Sequence, residues 1–166
     1  RRTKDEPVIA AELPDRIDEI DHCAMTPEQI GLYQAVIDRL LRDCRELADK
    51  GIGSVAIMSN DTVAYPEDSF VNMQRWARAL DFPFPYLFDA SQQVARAYGA
   101  VCTPDFFGFN RHLALQYRGR LDASGRNPGP ETLRRDLFEA MSQVASTGSG
   151  PAEQVPSIGC SIKWRE

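Results

Sequence analysis

The sequence predicts an α/β domain: a thick three-layer arrangement of helices on a central mixed sheet, behind a charged N-terminal arm. Three observations predict it. Apolar residues recur at 3–4-residue spacing in four stretches, short apolar runs alternate with those stretches, and two strand-like runs near residues 105–118 are joined by a tight turn.

The elements follow in order. Residues 1–15 are charged and Pro-containing, with one apolar stretch at Val8-Ile9-Ala10-Ala11, and read as an arm. Residues 16–24, RIDEIDHCA, allow a short strand. Thr26-Pro27-Glu28-Gln29 announces a helix: Thr as N-cap, Pro at the first helical position, Gln three residues past the cap. Ile30, Tyr33, Ile37, Leu40, Cys44 and Leu47 then carry the helix to about Lys50, and Gly51 stops it. Residues 53–59, GSVAIMS, suit a strand buried on both faces. After a turn at Tyr65-Pro66-Glu67-Asp68, Asp68 or Ser69 caps a helix whose Phe70, Met73, Trp76, Ala77 and Leu80 share one face. Phe82-Pro83-Phe84-Pro85 is extended because each residue before a proline is pushed from the helical region. Tyr86-Leu87-Phe88 is a strand, and Ser91 caps a third helix ending at Gly99. Residues 105–110 and 113–118 form a hairpin. Thr132 caps a last helix with Leu133, Leu137, Met141 and Val144 inward; residues 146–157 read as a linker and 158–166 as a tail. The order strand–helix–strand, then hairpin and packing helix, is that of thioredoxin-like folds.

Composition narrows the function. The chain of 166 residues carries 19 basic and 24 acidic side chains, a net charge of −5. An acidic surface repels a phosphate backbone, which argues against nucleic-acid binding. No apolar run approaches the about 18 residues of a membrane span, and RRTKDEP has no apolar core of a signal peptide. The four cysteines, Cys23, Cys44, Cys102 and Cys160, are dispersed and form no C-x-x-C pair. With only two histidines, His22 and His112, neither a metal nor another cofactor is expected. Dispersed thiols fit a reducing cytoplasm.

From about Ala35 to Lys163 the strings SNDTVAYPEDSF, FPFPYLFD, VARAYGAVCTPDFFGF, YRGRLD and PSIGCSIKW resemble the peroxiredoxin-like branch of the thioredoxin superfamily, the alkyl hydroperoxide reductase and thiol-specific antioxidant group. Residues 1–41, with R-R-T-K, Leu-Pro and T-x-E-Q-x-x-L-Y, are similar instead to a segment of Swi/Snf-type helicase-like ATPases, as though two coding segments met within the first helix. The resulting division is residues 1–25 as arm or substitute first strand, 26–145 as the thioredoxin-like domain, and 146–166 as linker and tail. The resemblance implies thiol oxidoreductase chemistry on a small peroxide or disulfide, an external dithiol reductant, and a homodimer.

The family's C-x-H-C motif at the start of the first helix is absent, so activity is expected to be weak or lost. A non-catalytic thioredoxin-like scaffold is the alternative, and a helicase-related interaction fragment a further one. Cys23 lies where a helix N-terminus would stabilise a thiolate and is the candidate nucleophile; in the helicase-like segment it would be a packing residue. His22 beside it would point to the opposite face of a strand. Thr103-Pro104 stands where the fold carries a cis-proline beside its active site. Cys102 and Cys160 are the candidate resolving thiols, although Cys102 also suits simple burial. A tail docked through Ile158, Ile162 and Trp164 would fix Cys160. Cys44 reads as core, and Arg118 and Arg120 as solvated strand residues. If residues 16–24 do not replace the first strand, a sheet edge is left open, a hazard for association.

Overall fold

The computed structural model describes residues 27–124, 130 and 132–165, with side chains from Gln34 onward. The expected arm, the strand at 16–24, Cys23, His22 and the Thr26 cap lie outside the described residues. The helix α1 spans Pro27–Ala48. It is followed by β1 (Ala56–Met58), a 3₁₀ turn (Pro66–Asp68), α2 (Phe70–Ala79), β2 (Tyr86–Phe88), α3 (Gln93–Tyr98) and β3 (Cys102–Thr103). The hairpin β4 (Phe106–Phe109) and β5 (Leu115–Gly119), α4 (Asp136–Thr147) and β6 (Cys160–Ser161) complete the order. This is the mixed α/β architecture expected.

The core lies where α1 and α4 meet β5. Leu47, Tyr117, Leu121, Leu137, Ala140, Met141 and Val144 form one buried cluster. Polar pairs close its rim: Arg39 reaches Asp122 at 2.7 Å, and Arg120 reaches Asp136 at 2.7 Å. Tyr117 donates its hydroxyl hydrogen to Arg120 O at 2.6 Å. Burial, helped by the Asp136 carboxylate, pushes its phenol from the ordinary 10.0 up to about 12. The fold thus favours the protonated ring. That contribution is complete below pH 10.0 and is lost as the pH rises toward 12. Tyr117→Phe is expected to cost about 1 kcal/mol at neutral pH and to flatten the alkaline loss of stability, as denaturant titrations across that range will show.

Among the described residues, the sheet is divided into three two-stranded pieces: β1 with β2 in parallel, β3 with β6 antiparallel, and β4 with β5 antiparallel. This corrects the expectation that residues 53–59 are buried on both faces. Val55 is 55% and Ile57 40% exposed, and among the described residues β1 pairs on one edge only, with β2. The helical face expected of α2 also departs: Met73 is buried, whereas Phe70 and Trp76 are exposed, and Phe70 stacks on Phe88 at the rim. Periodicity identified the helix but not how little the sheet offers it to cover.

The other differences are local. Ser69 is the N-cap of α2 but makes no side-chain cap bond. Ser91 Oγ accepts from the Gln93 N–H at 3.3 Å, while Gln92 takes the capping position with φ of 59°. The last helix begins at Asp136 rather than after Thr132. Leu133 instead closes a turn by donating to Pro130 O, and Arg134 and Arg135 are drawn into ion pairs. The stretch expected as a linker continues α4 to Thr147 and then runs along β5. There Gln154 accepts from the Arg118 N–H (2.8 Å) and donates to Gln116 O (2.9 Å), so its side-chain amide substitutes for a strand.

Candidate active site

Of the five candidate site residues Cys23, Cys102, Thr103, Pro104 and Cys160, three lie in one ribbon, and Pro104 directly follows it. β3 pairs with β6 in a register that sets Cys102 opposite Ser161 and Thr103 opposite Cys160. Thr103 Oγ1 donates to Cys160 O at 3.3 Å, and the Thr103–Pro104 peptide bond is cis. Cys23, the fifth, is outside the described residues.

The ribbon brings the two sulfurs near one another without facing them. Side chains directly opposite in a ladder share a face, and neighbours along a strand alternate. Cys102 and Cys160 therefore leave opposite faces: Cys102 is buried and Cys160 exposed. As paired resolving thiols they are not mutually aligned. The Cys102 thiol donates to Pro104 O at 3.6 Å. Burial pushes its pKa up, and the Asp105 carboxylate adds to this; Arg118 opposes them without prevailing. Cys44, in the α1 stripe, is buried and likewise raised, chiefly by burial. Both thiols are held in their unreactive protonated form.

Arg118 is exposed, as expected of a strand arginine, but it is also engaged. It reaches Asp105 at 3.3 Å, donates to Gly99 O and lies 5.0 Å over the Phe107 ring, tying the loop before β3 to the hairpin. Arg118 acts on Cys102 too weakly to outweigh burial and Asp105, and Arg120 is held by Asp136.

The tail is docked, by contacts the sequence only half announces. Ile162 is buried and Trp164 lies against Arg96 at 4.3 Å, but Ile158 is exposed. The principal anchor is Gln92, which no motif marked. Its Nε2 donates to Ser59 O (2.7 Å) and Lys163 O (2.8 Å), and its Oε1 accepts from the Arg165 N–H (2.8 Å). Asn60 and Asp61 complete the clasp, accepting from the Lys163 N–H and donating to Lys163 O. A buried glutamine with both amide ends satisfied leaves no trace in hydrophobic spacing.

Beside the ribbon opens a cleft of about 1190 Å³ whose walls include Cys102, Thr103 and Pro104, Ile57 of β1 and Phe107 of β4. Among the described residues no group of three His, Cys, Asp or Glu side chains could hold a metal ion. No described helix is long and apolar enough to cross a membrane.

The chain is similar to two solved structures. One, an uncharacterized conserved protein from Geobacillus kaustophilus, is 44% identical with a TM-score of 0.72, covering 81% of this chain and 71% of its own. The other, a hypothetical protein from Sinorhizobium meliloti 1021, is 41% identical with a TM-score of 0.72, covering 79% of this chain and 73% of its own. No curated protein matches. None of these matches is to a helicase-like protein. The match to the AhpC/TSA family runs over residues 25–122. It thus opens ahead of the seam expected at residues 35–41 and takes in the whole of α1. On that span, more than half of its length, the chain belongs to the AhpC/TSA family.

Proposed function

We propose that this protein is a thioredoxin-fold, peroxiredoxin-like thiol oxidoreductase of weak activity, working on a small peroxide or disulfide and reset by an external dithiol. Family membership and the cysteine-bearing ribbon beside Pro104 support the chemistry. The observation that supports a weak activity is the Cys102 thiol, which burial and Asp105 push up. Cys23 then serves as nucleophile. Its thiolate attacks the terminal peroxide oxygen, the O–O bond breaks, and the alcohol leaves with a proton, giving a sulfenic acid. A second thiol attacks that sulfur, forming a disulfide and releasing water; the external dithiol returns both thiols and is itself oxidised. Exposed Cys160 suits the resolving role better than buried Cys102. A reducing cytoplasm and a homodimer belong to the same reading.

The test is peroxide consumption with a small dithiol as reductant. Slow turnover is expected, lost in Cys23→Ser and retained in Cys44→Ser; in Cys160→Ser a sulfenic acid accumulates on Cys23 for trapping. The two raised thiols favour a second reading, a non-catalytic scaffold. Turnover in Cys23→Ser equal to that of the unaltered chain contradicts the first reading; no turnover in either leaves the scaffold.

A further inference from the structure

Residues 157–165 lie as a strap across the ribbon, yet the strap's own ladder is short. β6 offers β3 two residues, Cys160 and Ser161, fewer than a strand pair needs to hold by itself. Upstream, Ser157 donates its hydroxyl hydrogen to Gly119 O at 2.6 Å. Downstream, the hold is at Lys163 and Arg165. Lys163 O accepts from the Asp61 N–H and from Gln92 Nε2, both at 2.8 Å. The Arg165 N–H donates to Gln92 Oε1 at 2.8 Å. One side-chain amide thus pairs with positions 163 and 165 as a strand residue would. Its third bond, to Ser59 O at 2.7 Å, ties it to the loop after β1.

Gln92 is also a backbone outlier. Its φ of 59° and ψ of 13° are left-handed, a conformation that costs any residue with a Cβ and suits glycine. It stands at the start of α3, 3% exposed. Glycine would relieve that backbone but hold nothing, so the strained position points to a task for the amide. None of the hydrogen bonds of Gln92 goes to Cys102 or Cys160.

We propose that Gln92 is a positioning residue of the candidate site: its amide is the catch of a strap that opens and closes over Cys102. With the catch made, β6 lies on β3 and Cys102 is covered. With it broken, residues 158–165 lift together and Cys102 meets solvent, while α1, α4 and the hairpin stay folded. The inference concerns access to Cys102 and stands whether or not the chain consumes peroxide.

Alkylation of the native full chain tests it, read at Cys102 as the ratio of each variant's rate to that of the unaltered chain at the same pH. Cys44 and the exchange of the Tyr117 amide report on the rest of the fold. In Gln92→Gly the ratio is expected to rise roughly tenfold or more, together with exchange at the Lys163 and Arg165 amides, although glycine suits that φ. In Gln92→Glu it rises at about pH 8, where a carboxylate faces two carbonyl oxygens. It falls back toward the acid range, where the protonated group again donates to one of them and accepts from Arg165. Asp61, Asp89 and Arg165 border the catch in every variant, so their own titration cancels in the ratio. Ser91→Ala, which loosens the start of α3 beside the catch, leaves the ratio at one. The inference is overturned by a Cys102 rate that Gln92→Gly leaves unchanged, or by a raised Gln92→Glu ratio that does not vary with pH, as lost packing alone would give. A rise in Ser91→Ala overturns it too, as does Cys44 or Tyr117 opening in step with Cys102, which would assign the effect to the whole fold.

Discussion

Arg135→Met is expected to destabilise the protein by about 3–5 kcal/mol at neutral pH. Arg135 pairs with Asp43 at 2.5 Å and with Glu46 at 2.9 Å, and its guanidinium lies 3.7 Å over the Phe138 ring. Asp43 is 0% exposed, and its Oδ2 has no hydrogen-bond partner. Burial raises its pKa even with Arg135 and Arg42 opposing. Removing Arg135 leaves this carboxylate buried without its paired cation, with only the more distant Arg42 acting on it, whereas removing both partners removes the charge itself. Asp43→Leu in the Arg135→Met background should therefore recover most of the loss. The sign of the pH dependence follows: a raised carboxyl favours the fold when protonated, so the cost of Arg135→Met shrinks as the pH falls toward the acid range and grows as it rises. Chemical denaturation of both variants at several pH values reads this out. A double variant as unstable as the single one would contradict it.

Gly159→Ala is expected to lift the tail from the ribbon. A Cβ at Gly159 would strike the backbone O and C of Thr103 closer than real contacts allow, and would sit 3.2 Å from Pro104 N. Backbone cannot yield as a side-chain tip can, so β6 moves away from β3. Overpacking of this kind costs about 1–3 kcal/mol. The more specific sign is chemical: Cys102 loses its cover and becomes open to alkylation. Ile158→Ala, at an exposed neighbouring position, should leave Cys102 protected.

Much of this architecture was legible because its causes are local. The Pro27 start and Gly51 stop of α1, the strand at Tyr86–Phe88 and the hairpin all rest on signals within a few residues. Thr103 and Pro104 were legible through resemblance. What failed depends on partners distant in the chain. The hydrophobicity of residues 53–59 was correctly strand-like, but exposure at Ile57 is decided by whether a second strand stands beside it. Phe70 and Trp76 kept helical spacing yet stay about half exposed, Phe70 with only the Phe88 ring against it. Arg118, Arg135 and Gln92 act through partners on other elements, and composition says nothing about which arginine will find a carboxylate. The opposite facing of Cys102 and Cys160 follows from a one-residue register that only pairing fixes.

The AhpC/TSA-family fold buries Cys44 and Cys102 and raises both thiols. Alkylation of the native protein at about pH 6, well below the ordinary thiol range, read cysteine by cysteine by mass spectrometry, tests it most directly. Cys44 and Cys102 are expected to react far more slowly than a model thiol. Rapid modification of either at that pH would reveal a stabilised thiolate and contradict this reading.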